Sequence, residues 1–248
     1  MAVIINDVYQ KVLAIANKEQ RGYITPQEFN LFANQAQMDI FEQYFYDINQ
    51  FGRVPGNSTE YSDPVNMLEE KISAFEKFKT ASQAVSGADN NIISLPTDLY
   101  RLGTVFYTAN TPNVVVEKVN KKNLQIILSS PLTAPTETRP VFVYEQSSTA
   151  GQSKIRIFPS APTYTTSNLI CNYIKKPATV KWTYTVSGDY KALYNGSASD
   201  LQNFELHESE ENNLVTKILQ LAGISIKDTL LIQTASTAES SKINQQKQ

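Results

Sequence analysis

Apolar residues follow a helical spacing at both ends of the chain and a strand-like spacing in its middle. Residues 4–78 and 206–245 repeat apolar side chains at three- and four-residue steps, whereas residues 92–182 contain short β-branched and aromatic runs. This order predicts an α+β protein: a helical bundle built from the N- and C-terminal segments, with an inserted antiparallel β domain. We place the bundle at residues 1–85 with 205–248 and the β domain at 88–204.

The longest predicted helix begins at a strong capping signal. Thr25 is suited to cap a helix, Pro26 fits its first position, and Glu28 is spaced to reach back to the cap. The helix should run to about residue 48, and its broad apolar stripe predicts packing on more than one neighbour. Further helices are predicted at residues 6–18, 64–78, 121–129, 209–222 and 226–234.

The middle of the chain predicts strands near residues 100–108, 114–116, 141–144, 154–158, 169–175 and 180–184. Because no long helix connects them, we expect an antiparallel sheet or a small sandwich. The short helix at 121–129 should turn Leu124, Ile127 and Leu128 inward. Phe204 and Leu206 are expected to add one edge strand.

Composition excludes several classes of protein. The net charge is −2, so the chain has no global cationic field to hold a nucleic acid, and contact with DNA should be local or passive. The single cysteine, Cys171, excludes an internal disulfide and fits a reducing compartment. The first residues do not read as a signal peptide, and the apolar runs are too short to span a bilayer, so we expect no membrane partner.

Residues with catalytic or metal-binding chemistry are few. The only histidine, His207, would need a serine or cysteine nucleophile in reach, and we interpret it as a surface or interface imidazole. Cys171 is interpreted as a small buried apolar residue, and one histidine with one cysteine argues against zinc. Glu208, Glu210 and Glu211 complement a helix dipole more readily than they bind a cation.

Two carboxylates on the β region, Asp98 and Glu117, could serve a glycosidase only if the fold opposed them, and nothing in the sequence pairs them. No glycine-rich phosphate loop occurs. We therefore predict no catalytic residue, no cofactor and no metal site, and expect that the protein is not an enzyme.

Surface features carry the remaining signals. Two basic clusters, Lys118 with Lys121 and Lys122, and Lys175 with Lys176, are interpreted as solvated faces, with contact to DNA as the alternative. Aromatic residues in or beside polar loops are either interface anchors or covers for local core edges. These aromatic residues are Phe45, Tyr46, Tyr61, Tyr190 and Tyr194.

Five segments resemble the head-to-tail connector proteins of tailed bacteriophages, the adaptor, ring or tail-tube-A-like proteins that sit under the portal. They are residues 93–102, in which a Leu-Pro-x-Asp turn leads into a strand, and residues 128–136, 157–162, 24–30 and 204–211. The β region is longer than the adaptor pattern, which leaves the position among the neck rings open.

The resemblance implies a virion structural protein that forms a homo-oligomeric ring, commonly of twelve copies. Its partners would be the portal protein and tail or further neck proteins, with DNA passing through the lumen. The polar segment 236–248 would be a flexible tail that docks on the portal. Two alternatives remain: a carbohydrate- or receptor-binding tail or decoration protein, for which Trp182 is the only tryptophan, and a cell-wall hydrolase.

Overall fold

The computed structural model describes residues 3–18, 24–51, 64–81, 83–84, 91–108, 113–145, 153–160, 169–188, 192–226, 236–237 and 240–241. The chain divides into two compact units. The terminal unit comprises Met1–Ala74 with Pro177–Gln248, and the central unit comprises Phe75–Lys176. Residues 177–204, expected in the β domain, thus group with the chain ends.

Five α-helices occur in the described residues: α1 (Ile5–Lys18), α2 (Pro26–Phe51), α3 (Pro64–Ser73), α4 (Lys121–Ser129) and α5 (Glu211–Ile226). The predicted capping box is confirmed, because the Thr25 hydroxyl accepts from the Glu28 N–H at 3.3 Å and the Glu28 carboxylate accepts from the Thr25 N–H at 3.0 Å. The predicted helix at 226–234 lies outside the described residues, except its first.

The third helix ends earlier than predicted. It stops at Ser73, and residues 76–81 form a strand whose Phe78 side chain is 67% exposed. The sequence Glu-Lys-Phe-Lys-Thr contains a single apolar residue and no alternation, so pairing with a partner strand decides its conformation.

The strands are β1 (Glu76–Ala81), β2 (Gln83–Ala84), β3 (Ile92–Ser94), β4 (Leu99–Tyr107), β5 (Val114–Lys118), β6 (Val141–Glu145), β7 (Lys154–Phe158), β8 (Leu169–Lys175), β9 (Tyr184–Val186) and β10 (Ala192–Tyr194). The first eight form one sheet in the order β1-β8-β4-β5-β6-β7-β3-β2, and β9 and β10 form a separate hairpin.

The eight-stranded sheet curls back on itself. β1 and β2 lie at opposite ends of the strand order, yet only one residue separates them in the chain. Two consecutive peptide units span at most about 7.6 Å, so the two ends of the sheet must meet. The inner face then buries its own core, which consists of Ile93, Leu95, Val105, Tyr107, Val116, Phe142, Ile155, Ile157, Leu169, Cys171 and Tyr173.

One pair of strands in this sheet is parallel. β5 and β6 pair side by side in the same direction, and the connection between them contains α4. A parallel pair needs a crossover of this kind, and a nine-residue helix with its flanking turns is long enough. The expectation of a purely antiparallel sheet is therefore wrong.

The core of the terminal unit is shared by helices and extended chain. Val180, Trp182, Phe204 and Leu206 are fully buried although none lies in a helix. The residues predicted as an edge strand, Phe204 and Leu206, lie outside the named strands.

Side-chain amides on α2 hold this extended chain in place. Asn30 exchanges two hydrogen bonds with the backbone of Trp182, at 2.8 and 3.2 Å, and Asn34 exchanges two with Val180, both at 2.9 Å. Gln37 donates to the Ala178 carbonyl at 2.8 Å. The three amides recur at helical spacing, and the three backbone positions recur at strand spacing, so a helix face substitutes for a neighbouring strand.

The predicted fold class is wrong. The protein is a mixed α/β structure whose largest element is a curled eight-stranded sheet, accompanied by five helices in the described residues. It is not a helical bundle carrying a small antiparallel insertion. The prediction failed because the amide row lets extended chain enter the helical layer, and because polar β1 extends the sheet beyond its recognisable strands.

Candidate interaction surfaces

The single histidine caps a turn. His207 precedes a 3₁₀ turn at Glu208–Glu210, and its Nδ1 accepts from the Ser209 N–H at 3.2 Å. The Ser209 hydroxyl lies 2.9 Å from the same nitrogen. A hydroxyl is therefore in reach, as a general base would require, but in the described part of the chain no acid hydrogen-bonds the imidazole to orient it.

The other candidate catalytic groups are held apart. Cys171 is fully buried in the core of the central unit, where burial, assisted by the charge of Asp98, raises the pKa of its thiol to about 11. Asp98 accepts a hydrogen bond from the Tyr173 hydroxyl at 2.9 Å at one end of β4. Glu117 follows Val116, which pairs with Val105 near the far end of β4, seven residues or roughly 23 Å along the chain from Asp98.

The three adjacent acids do not converge on one site. Glu208 is exposed, and Glu211 pairs with Lys11 at 2.7 Å. Glu210 is 2% exposed and pairs with Lys71 of α3 at 2.6 Å. No group of three or more metal-binding side chains occurs among the residues that the structure describes.

Glu210 is the centre of a buried polar network that the sequence analysis missed. Its second carboxylate oxygen accepts from the Asn213 amide, and Lys71 lies over the Tyr44 ring at 5.8 Å. Burial, together with the charge of Glu210, raises the pKa of Tyr44 far above its ordinary value. The network joins α2, α3 and α5, and no local sequence pattern predicts it.

The only tryptophan is a core residue. Trp182 is 1% exposed, packs against Tyr9 at 4.2 Å between ring centroids, and donates to the Asn6 side chain at 3.2 Å. A sugar cannot stack on it in this state. Of the loop aromatics, Tyr61 and Tyr190 lie outside the described residues, and Tyr194 is 38% exposed beside Trp182.

A shallow depression of about 300 Å³ lies on the outside of the sheet, where β1, β8 and β4 meet. Register shifts interrupt the pairing of β8 with both neighbours here. Gly103 lines this depression. Glycine is required at position 103 because a Cβ atom there would lie 2.9 Å from the Asn172 carbonyl oxygen. The depression is open and carries no recognisable chemistry.

The clearest exposed surface surrounds α4. Lys118, Lys121 and Lys122 are exposed, as sequence analysis expected, and the Lys118 ammonium lies 4.9 Å from the centre of the Tyr144 ring. Ile126 is 69% exposed and Leu132, in the following turn, is 88% exposed. We call these five residues, the three lysines with Ile126 and Leu132, the α4 patch.

None of the nine residues of α4 is buried by the described part of the chain. Leu124 and Ile127 are half-buried, and Leu128 is exposed, so the prediction that all three turn inward is wrong for Leu128. An amphipathic helix normally buries its apolar stripe, and here the covering is incomplete.

A second exposed surface runs along α2. Leu31, Gln35, Asp39, Glu42 and Tyr46 follow one another at steps of three and four residues, on the side opposite the buried Phe29, Ala33 and Ile40. Asp39 is half-buried, and the other four are exposed. We call these five residues the α2 stripe. Leu31 is 70% exposed and Tyr46 is 62% exposed.

The two units carry opposite charge. The terminal unit contains 18 acidic and 11 basic residues, and the central unit contains 6 acidic and 11 basic residues, so their net charges are −7 and +5 and together give the −2 of the chain. The same contrast holds locally: α2 contains four acids and no basic residue, and α4 contains two lysines and no acid. An uneven distribution of charge along a sequence indicates interaction surfaces, and the net charge of the whole chain does not reveal it.

No helix among the residues that the structure describes is both long and apolar enough to cross a bilayer. No protein-family model matches the chain, and no curated protein matches it. Function must therefore be argued from the surfaces themselves.

Proposed function

We propose that this protein is a non-enzymatic virion structural protein, one subunit of a ring in the neck of a tailed bacteriophage. The ring connects the portal to the tail and lets the genome pass. It is assembled in the cytoplasm of the bacterial host and becomes part of the virion. Its partners are further copies of the chain, the portal protein, and tail or additional neck proteins.

The α4 patch is the observation that carries this proposal. Two large apolar side chains and three lysines stand exposed on and beside a helix that the described chain does not bury. Exposed apolar residues grouped on one element, with polar residues at the rim, are typical of protein–protein interfaces. A subunit that completes its burial in an assembly explains the surface better than an isolated monomer does.

Two further features support a structural role. The five segments that resemble phage connector proteins span residues 24 to 211 and include both units. The reactive side chains serve structural contacts: His207 caps a turn, Cys171 fills a core and Glu210 forms a buried ion pair.

The proposal is tested by assembly. The purified protein is examined by light scattering after gel filtration and by negative-stain electron microscopy, alone and with particles of the portal protein of the same virus. Closed rings, commonly of twelve copies, and co-sedimentation with portal are expected. A strictly monomeric protein that ignores portal particles would overturn the proposal.

A further inference from the structure

We infer that neighbouring copies join head to tail, with the α4 patch of one copy seated on the α2 stripe of the next. The inference rests on the proposed function, because it identifies the two surfaces that build the ring. The occupant of each surface is thus a second copy of this chain.

The two surfaces match in their apolar residues. Ile126 and Leu132 of the α4 patch are 69% and 88% exposed, and Leu31 and Tyr46 of the α2 stripe are 70% and 62% exposed. Leu31 and Tyr46 are about 22 Å apart along the helix, and α4 is about 13 Å long, so α4 and its following turn fit within the stripe. Burying these side chains removes apolar surface from water on both copies.

The two surfaces also match in charge. The α4 patch contains the exposed Lys118, Lys121 and Lys122, whereas the α2 stripe contains the half-buried Asp39 and the exposed Glu42. Complementary charges across an interface fix its register and discourage wrong pairings. The net charges of +5 and −7 on the two units favour the same orientation over contact between like units.

Different surfaces on the two partners make the contact heterologous. A heterologous contact leaves each copy with one surface unused, so further copies add until the rotation closes a ring or a filament grows. A contact between two α4 patches or two α2 stripes would instead stop at a dimer and bring like charges together.

The experiment exchanges the charges of the two surfaces in the full-length chain. Lys121→Glu with Lys122→Glu reverses the α4 patch, and Asp39→Lys with Glu42→Lys reverses the α2 stripe. Each double variant should raise the concentration needed for half-assembly by about tenfold or more, because attraction becomes repulsion. The quadruple variant restores complementarity within one chain, and an equal mixture of the two double variants restores it between chains, so both should assemble.

Matched controls change the same charges elsewhere. Lys77→Glu with Lys176→Glu alters exposed lysines of the central unit, and Glu69→Lys with Glu70→Lys alters exposed acids of α3. Both controls should assemble like the wild type. Rescue in the quadruple variant and in the mixture excludes misfolding as the cause of the losses.

The outcomes separate this inference from the proposed function. A wild-type protein that stays monomeric with portal present overturns both. Rings that persist in both double variants, or that are lost in the variants and never rescued, overturn the inference and leave the proposed function standing. In the Lys121→Glu/Lys122→Glu variant, rings could stay unchanged while binding of a labelled DNA duplex is lost. That result would overturn the inference and assign the α4 patch to nucleic acid.

Discussion

The two units satisfy extended backbone in different ways. In the central unit the strands bond to one another and the sheet meets itself, so each strand has a partner of its own kind. In the terminal unit one side of the segment at residues 178–182 bonds to the side-chain amides of Asn30, Asn34 and Gln37, while Lys181 on its other side pairs with the backbone of Gln202. A sheet distributes its hydrogen bonds over many residues, whereas this segment depends in part on three side chains, and single substitutions there should damage it more.

Each unit carries a natural reporter of its own state. Trp182, the only tryptophan, is buried in the terminal unit, and Cys171, the only cysteine, is buried in the central unit. Tryptophan fluorescence therefore follows unfolding of the first, and thiol labelling follows opening of the second. The comparison can be tested on the intact chain.

The largest effect is expected from Glu210→Ala. The substitution removes the partner of Lys71, which has only 17% of its side chain exposed, and a carboxylate oxygen that accepts from Asn213. Breaking a buried ion pair on one side should lower the free energy of unfolding by about 3 kcal/mol. Urea unfolding followed by Trp182 fluorescence measures the loss.

Glu208→Ala is the matched control, because Glu208 lies in the same 3₁₀ turn and is exposed. It should change the free energy of unfolding by less than about 0.5 kcal/mol. Equal losses in the two variants would mean that Glu210 acts through the turn and not through Lys71.

Asn34→Ala tests the amide row directly. It removes both hydrogen bonds to the backbone of Val180 and leaves an N–H and a carbonyl without their partner. The expected loss is about 2 kcal/mol in the same fluorescence measurement. Gln35→Ala alters the next residue, an exposed amide that bonds to Asp39 on its own helix, and should cost a few tenths of a kcal/mol. A small loss from Asn34→Ala would remove the proposed fragility of the terminal unit.

Local signals explain which parts of the fold were predictable. Thr25, Pro26 and Glu28 act within one helical turn, and the structure confirms the helix start that they predicted. The alternation of polar and apolar residues at 154–158 likewise predicted a strand correctly. Successive residues of a strand face opposite sides of the sheet, so this pattern is visible within the segment itself.

Long-range partners explain what was missed. Asn34 and Val180 are 146 positions apart in the sequence, and Lys71 and Glu210 are 139 positions apart. The residues next to each partner therefore give no sign of the pairing. The opposite net charges of the two units follow from counting charged residues in the sequence. That count requires the unit boundaries at Phe75 and Lys176, which the structure supplied. The amide spacing on α2 was visible as well, although nothing local said what it would bind.

A smaller effect is expected in the central unit from Gly103→Ala. The new Cβ atom would meet the Asn172 carbonyl oxygen at 2.9 Å, which forces the two strands apart near their bulges. The free energy of opening, measured from Cys171 labelling, should fall by about 1 to 2 kcal/mol. Gly188→Ala is the control, since nothing lies within 4 Å of a Cβ atom there. A loss seen by Trp182 fluorescence at the same denaturant concentration would show that the units unfold together.

The smallest effect concerns the Cys171 thiol near neutral pH. Burial, then the charge of Asp98, raises the pKa of this thiol from its ordinary 9.0 to about 11, which lowers its thiolate fraction about a hundredfold at pH 8. Labelling by a thiol reagent should therefore be slow in the native protein and fast in denaturant. Because the native state keeps its proton longer than the unfolded chain, this group's contribution to stability is intact below pH 9 and is lost as pH rises through 11. Rapid labelling at pH 8 without denaturant would show that the curled sheet opens easily, and the central unit would then be the more fragile of the two.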